Sequence, residues 1–221
     1  MRPIFDSSQL RAVIFDFDGT LVSSPYTDFK IMHSRAREAL LPFVHIPQAL
    51  EGPILEDISR ICAGMDAETA ERARKAAMRA IEEVEVETAL LSQVFPFVKD
   101  MVKYLEGRGI AVGIITRNCK AALYTAFPDV GAYFPCILTR EDVEKVKPHP
   151  EHLFDALGIL GVQAENALMI GDHPMDIITG KRAGAFTAGV TGDGAQALKL
   201  AEEEPDFLAE DAGEVIRMIY G

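Results

Sequence analysis

Residues 11–22 read Arg-Ala-Val-Ile-Phe-Asp-Phe-Asp-Gly-Thr-Leu-Val, an apolar run that takes in two aspartates before it turns. The stretch from Arg11 to Phe17 is rich in β-formers and ends at Asp18-Gly19, a turn dipeptide, so it reads as a buried strand feeding a loop. Asp16 lies inside the apolar part. An ionised carboxylate is costly there unless a metal ion or hydrogen-bond donors compensate it.

Working outward, the texture from about Pro25 to Leu91 is helical. Phe29, Met32, Ala36 and Leu40 recur every three or four residues, and Ala70, Ala73, Ala77, Ile81 and Val84 do the same, with Asp66 placed to cap the later helix. Beyond this block, helices and short apolar strands alternate. A helix opens at Pro96 and shows Phe97, Met101, Val102 and Leu105 on one face. Strands are expected at Ile110–Ile115, Cys136–Thr139, Ala167–Ile170 and Phe186–Val190. Helices are expected at Lys120–Phe127, Pro150–Leu160, Met175–Arg182, about Ala195–Glu203 and Gly213–Tyr220. Such alternation predicts βαβ units and a doubly wound parallel sheet, an α/β fold. The first strand belongs to that sheet, so the expected division is an α/β core of residues 1–23 and 93–221, with a helical domain inserted at 24–92.

The chain has 221 residues, 48% hydrophobic and 25% charged, the make-up of an ordinary globular domain. Lys and Arg number 22 against 34 Asp and Glu, a net charge of −12 that repels phosphate backbones and anionic lipid. No nucleic acid and no membrane partner is expected, and no apolar run approaches the ~18 residues of a membrane span. Cys62, Cys119 and Cys136 are odd in number and far apart, which fits neither a disulfide framework nor a Cys-x-x-Cys metal site. A cytoplasmic protein is the expectation.

Open parallel sheets bind ligands outside the carboxyl ends of their strands. Strand one ends in Asp16-Phe17-Asp18-Gly19-Thr20 and the next in Thr116-Arg117-Asn118; the third is followed by Lys147-Pro148, and the fourth runs into Gly171-Asp172 with Asp176 four residues on. Singly, each has an ordinary explanation: a turn, a helix cap, a surface lysine, a first-turn acid. Jointly they put four carboxylates, hydroxyls and an ammonium on one sheet edge. Carboxylates clustered without cysteines or a histidine pair suit Mg²⁺ rather than zinc. One carboxylate can attack phosphorus, and a second can protonate the leaving oxygen and then activate water.

These segments resemble the four motifs of the haloacid dehalogenase-like (HAD) superfamily: Asp16-Phe17-Asp18-Gly19-Thr20-Leu21-Val22, Ile115-Thr116-Arg117-Asn118, Lys147-Pro148-His149-Pro150 and Gly171-Asp172-His173-Pro174-Met175-Asp176. The resemblance implies that Asp16 is a nucleophile and Asp18 a general acid/base. It further implies that Thr116 and Lys147 bind a phosphoryl group and that Asp16, Asp18 (through its carbonyl), Asp172 and Asp176 hold Mg²⁺. Gly19, Thr20, Arg117 and Asn118 are expected on the substrate side, with Arg117 either facing the inserted domain or packing on the surface. The helical insertion resembles the family's small α-helical cap. On its first helix Tyr26, Lys30, His33, Arg35 and Arg37 are either cationic and aromatic groups that meet a substrate or a solvated helix face. Haloacid dehalogenases lack the second aspartate of the first motif, so Asp18 points to phosphate esters.

Within the family the phosphoglycolate phosphatase-like group is most similar, although its second motif usually reads Thr-Asn. The alternative is a phosphomutase of the β-phosphoglucomutase type. A receiver-like signalling module would carry adjacent acids after its first strand and no helical insertion. The expected partner is a small phosphorylated metabolite, and the expected state a monomer or homodimer. His149 and His152 read as exposed, and His173 as lying outside the metal's own ligands.

Overall fold

The structure, a computed structural model, describes residues 5–23, 29–44, 50, 52–192 and 197–221. The chain divides into two compact units, Met1–Ser24 with Ser92–Gly221, and Pro25–Leu91. The first begins with β1 (Ala12–Phe15). The second holds α1 (Phe29–Leu40), α2 (Ile54–Cys62) and α3 (Ala67–Ala89). The first unit resumes with α4 (Val98–Glu106), β2 (Ala111–Ile115), α5 (Lys120–Ala126), β3 (Cys136–Leu138), α6 (Glu151–Leu160) and β4 (Ala167–Gly171). It ends with α7 (Pro174–Ala183), β5 (Phe186–Val190), α8 (Ala197–Glu202), β6 (Phe207–Ala209) and α9 (Ala212–Tyr220).

The strands form one parallel sheet in the order β3-β2-β1-β4-β5-β6. A parallel sheet is covered on both faces, so its central strands are apolar throughout rather than alternating. Every residue of β1, β4 and β5 is buried, as the continuous apolar runs require. On one face Val13, Phe15, Val112, Ile114, Leu168 and Ile170 meet Val98, Val102 and Leu105 of α4 and Val215 and Ile216 of α9. On the other, Ile14, Ile115 and Met169 meet Leu153, Ala156 and Leu157 of α6. The expected α/β doubly wound fold is borne out, with one addition: β6 is three residues long at the sheet edge, too short to show a period.

The second unit packs α1 along α3 around its own core of Met32, Ala36, Leu40, Ala73, Ala77, Ile81 and Val84, with Ile58 and Cys62 from α2. Alanines at 36, 73 and 77 let the helices approach closely. Asp66 caps α3 by accepting from the Thr69 N–H at 3.0 Å. Asp57, a buried carboxylate of α2, accepts from the Gly52 N–H at 3.0 Å and from Arg60 at 2.6 Å. The side-chain expectations for Tyr26 and the start of the helix expected at Ala195 lie outside the described residues.

Phe15→Ala removes a fully buried ring packed edge-on against Phe134. Denaturant unfolding should show a loss of about 3–5 kcal/mol. Leu198→Ala, at a side chain 80% exposed on α8, should stay within about 0.5 kcal/mol of the parent protein.

Candidate active site

The strand order reverses beside β1, where β2 leads to one side and β4 to the other. Ligands of open α/β sheets bind at such a switch point. Asp16 is the residue after β1, and its N–H donates to the Ile170 carbonyl of β4 at 2.8 Å. Asp172 follows β4, and Asp176 lies in the first turn of α7. One carboxylate oxygen from each of Asp16, Asp172 and Asp176 lies within 4.8 Å of the others.

Lys147 enters this cluster from the connection between β3 and α6. Its Nζ donates to Asp16 Oδ1 at 2.5 Å and to Asp176 Oδ1 at 2.6 Å, and the side chain is almost wholly buried. Burial alone would depress its pKa, but the charges of Asp16 and Asp176 overcome it and push the ammonium up to about 12. Asp172 moves the other way for a carboxylate. Burial first, then the Asp16 and Asp176 charges, raise it to about 8. Asp176 is raised too, chiefly by burial, while its Oδ2 accepts from the His173 N–H at 3.1 Å. One ammonium therefore faces three carboxylates, of which Asp16 and Asp176 are buried and Asp172 is partly exposed. The donors are all oxygens, with no thiolate or imidazole among them, so the residues fit a hard divalent cation that would supply the missing positive charge.

Two glycines make the crowding possible. Gly19 has φ +75°, and a Cβ there would stand 2.1 Å from Asp172 Oδ2. A Cβ on Gly171 would stand 2.1 Å from Asp176 Oδ2. At both positions the backbone comes closer to a carboxylate than a Cβ permits.

The end of β2 supplies a second layer of contacts. Asn118 Nδ2 donates to Asp18 Oδ2 at 2.9 Å, and its Oδ1 accepts from the Cys119 N–H at 2.8 Å. Thr116 is buried, and its Oγ1 accepts from the Asn118 N–H at 3.0 Å. Arg117 Nη1 donates to the Lys147 carbonyl, and Arg140 Nη1 donates to the Arg117 carbonyl at 3.1 Å. Thr20 is buried, and among the described residues its hydroxyl has no hydrogen-bond partner. The structure thus gathers Asp16, Asp172, Asp176 and Lys147 into one cluster, sets Gly19 against Asp172 and pairs Asp18 with Asn118.

The histidines differ in part from their sequence reading. His152 is fully buried rather than exposed: it precedes Leu153 on the stripe of α6 that also buries Ala156 and Leu157. That spacing, with His152 four residues before Ala156, is the signal that finds it. His149 is about half exposed. His173 caps α7, with Nδ1 accepting from the Met175 N–H at 3.1 Å. Arg182, read as a simple helix end, donates from Nη1 to the Pro148 carbonyl at 3.2 Å.

The raised pKa of Asp172 carries a sign. The folded protein holds the Asp172 proton more tightly than the unfolded chain, so this stabilisation is full below 3.8 and is lost as pH rises through about 8. Burial lowers His152 and His173, which work in the opposite direction below about pH 6.5. In chelator, melting temperature should therefore fall from about pH 7 to about pH 8.5, and Asp172→Asn should remove that slope. Saturating divalent cation should flatten it in the parent protein.

The sequence model of the haloacid dehalogenase-like hydrolases matches residues 13–190. Pyrophosphatase PpaX of Anoxybacillus flavithermus is 30% identical over 223 residues, which cover 95% of this chain and 97% of that one. A hydrolase from Pseudomonas syringae superposes with a TM-score of 0.69 at 22% identity, covering 95% of this chain and 97% of its own. A predicted phosphoglycolate phosphatase from Haemophilus somnus gives 0.63 at 20% identity, covering 95% and 98%. The structural likenesses speak for the fold, and the sequence match speaks for the family. That match runs from β1 to β5 and so takes in every strand end that contributes to the acidic cluster; the chain belongs to the haloacid dehalogenase-like hydrolases.

Proposed function

We propose that this protein is a Mg²⁺-dependent phosphatase that hydrolyses a small phosphorylated metabolite through a phosphoryl group carried on Asp16. The observation that carries the reading is the Lys147 ammonium, 2.5 Å from Asp16 and 2.6 Å from Asp176, inside a cluster of three carboxylates. An acidic edge of this kind repels a phosphate dianion unless cations reverse the field. Asp16, Asp172 and the carbonyl of Asp18, with Asp176 beside them, would hold Mg²⁺, which supplies charge compensation to the phosphoryl oxygens when bound.

The chain's own residues then divide the work. The free carboxylate oxygen of Asp16 attacks phosphorus, and the bond to the leaving oxygen breaks as that oxygen takes a proton from Asp18. Asp18 next takes a proton from water, whose oxygen attacks the same phosphorus, breaks the bond to Asp16 and releases phosphate. Asn118 holds Asp18 through the 2.9 Å amide bond. Lys147 and Thr116 neutralise and bind the phosphoryl oxygens, while Gly19 and Thr20 shape the loop beneath them. Arg117, bonded to the Lys147 carbonyl, serves the site through that backbone.

The inserted helical unit is our candidate for substrate choice, since it carries none of the strand-end residues. The core chain leaves and returns through a short paired ribbon. There the Ser23 N–H donates to the Gln93 carbonyl at 2.8 Å, the Phe95 N–H donates to the Leu21 carbonyl at 3.0 Å, and Val22 pairs with Val94. A few residues beyond such a ribbon can absorb a hinge rotation. Three buried cysteines with no disulfide between them support a cytoplasmic setting, and no helix among the described residues is long and apolar enough to cross a membrane.

The test is a panel of phosphate compounds with Mg²⁺, headed by pyrophosphate and phosphoglycolate because similar proteins bear those names. Release of inorganic phosphate is expected; isomerisation of a sugar phosphate without release would make the protein a mutase. Asp16→Asn should lower turnover by ~10³-fold or more while the protein still folds. A chelator should abolish activity and Mg²⁺ restore it, with Zn²⁺ a poorer substitute. Arg35→Ala, at an exposed position of α1, should change kcat/KM unequally across the panel and leave p-nitrophenyl phosphate within a few-fold of the parent value.

A further inference from the structure

Lys147 lies within residues 139–150, the connection between β3 and α6, and not on a strand or a helix of the sheet scaffold. Groups that meet a reacting phosphoryl group must be held to a fraction of an ångström, and side chains on loops need extra fixing. His152 supplies it from the first turn of α6. Its Nδ1 accepts from the Lys147 backbone N–H at 3.3 Å, and its Nε2 faces the Leu138 carbonyl at the end of β3 at 3.1 Å. The imidazole is fully buried.

We propose that His152 is the positioning residue for Lys147, a neutral Nε2–H imidazole that ties the lysine's backbone to β3 and α6 at once. This inference rests on the reading of Lys147 as the phosphoryl-binding cation. An N–H and a carbonyl oppose the two ring nitrogens, so the ring must accept at Nδ1 and donate at Nε2. Only the neutral Nε2–H tautomer does both. A protonated ring would turn a second donor on the Lys147 N–H and lose that bond. The surroundings keep it neutral: burial, then the charges of Lys147 and Arg117, push its pKa down to about 3 against the opposing pull of the Leu138 carbonyl and Asp142. Arg117 takes the Lys147 carbonyl and Arg182 the next one, at Pro148, so His152 supplies the remaining bond, to the lysine's N–H.

The test has two arms, one independent of activity. In ¹⁵N-histidine NMR of the wild-type protein, His152 should show the Nε2–H tautomer and no titration between pH 5 and 9. An Nδ1–H tautomer, or titration near the ordinary histidine value, overturns the proposal. In the second arm His152→Phe keeps a buried ring and removes both bonds, while His152→Gln offers an amide oxygen and an amide N–H in their place. His152→Phe should lower kcat by ~10- to 100-fold with KM changed by less than ~3-fold, and His152→Gln should recover most of the loss. Melting temperatures of the two variants should agree, which separates positioning from folding. Equal impairment of the two, or His152→Phe within ~3-fold of wild type, also overturns it. If wild type hydrolyses no phosphate compound, the functional reading falls, and the Lys147 Nζ proton signals decide the positioning. They should persist in His152→Gln and broaden in His152→Phe; signals unchanged in both overturn the proposal.

Discussion

Three carboxylates and one ammonium crowd one largely buried site, and the core unit is arranged so that this can exist. Buried like charges repel strongly at a few ångströms, and a single lysine compensates only part of that repulsion. Its position between Asp16 and Asp176 is therefore set by electrostatics before any ligand arrives. The strand order follows suit: β1 sits at the centre, so the residues that follow β1 and β4 emerge side by side at the point where the sheet changes direction. The glycines at 19 and 171 then remove the Cβ atoms that would push the acids apart.

Around the charged centre, most fixing is done through backbone. Asp176 accepts from Lys147 with one oxygen and from the His173 N–H with the other, so the same carboxylate orders the lysine and the start of α7. The Lys147 and Pro148 carbonyls are each claimed by an arginine from a different part of the chain. Such bonds set positions without competing for a substrate, which leaves the acids and the ammonium for chemistry. In the function we propose, phosphoryl handling falls to the sheet unit and discrimination to the inserted helices.

Much of this is legible in the sequence because it follows from local patterns with a steep energetic reason. Aspartates inside or directly after fully apolar strands are costly enough to announce a site, and β1, β2 and β4 are continuous apolar runs. The helical texture of α1 and α3 is equally plain, since one face of each is apolar at helical spacing. What stays hidden depends on partners far along the chain. Asn118 meets Asp18 across 100 residues, and Arg117 finds the Lys147 carbonyl across 30. No periodicity encodes either pairing. His152 reads as exposed because it falls beside Lys147 in the third motif, and the buried stripe shows only when the helix is followed to Leu157.

The placement of the helical unit also shapes how the molecule is assembled. Ala12 of the central strand pairs with Ala111 and Ala167, both on the far side of the inserted helices. Loop-closure entropy for those pairings must be met before any sheet hydrogen bond rewards it, which makes the core a high-contact-order structure. The inserted unit has its own apolar core, so its ordering does not wait on the sheet. Once ordered, it shortens the effective loop that β1 must close to reach β2. An insertion that carries none of the strand-end chemistry can thereby ease the closure of the sheet around it.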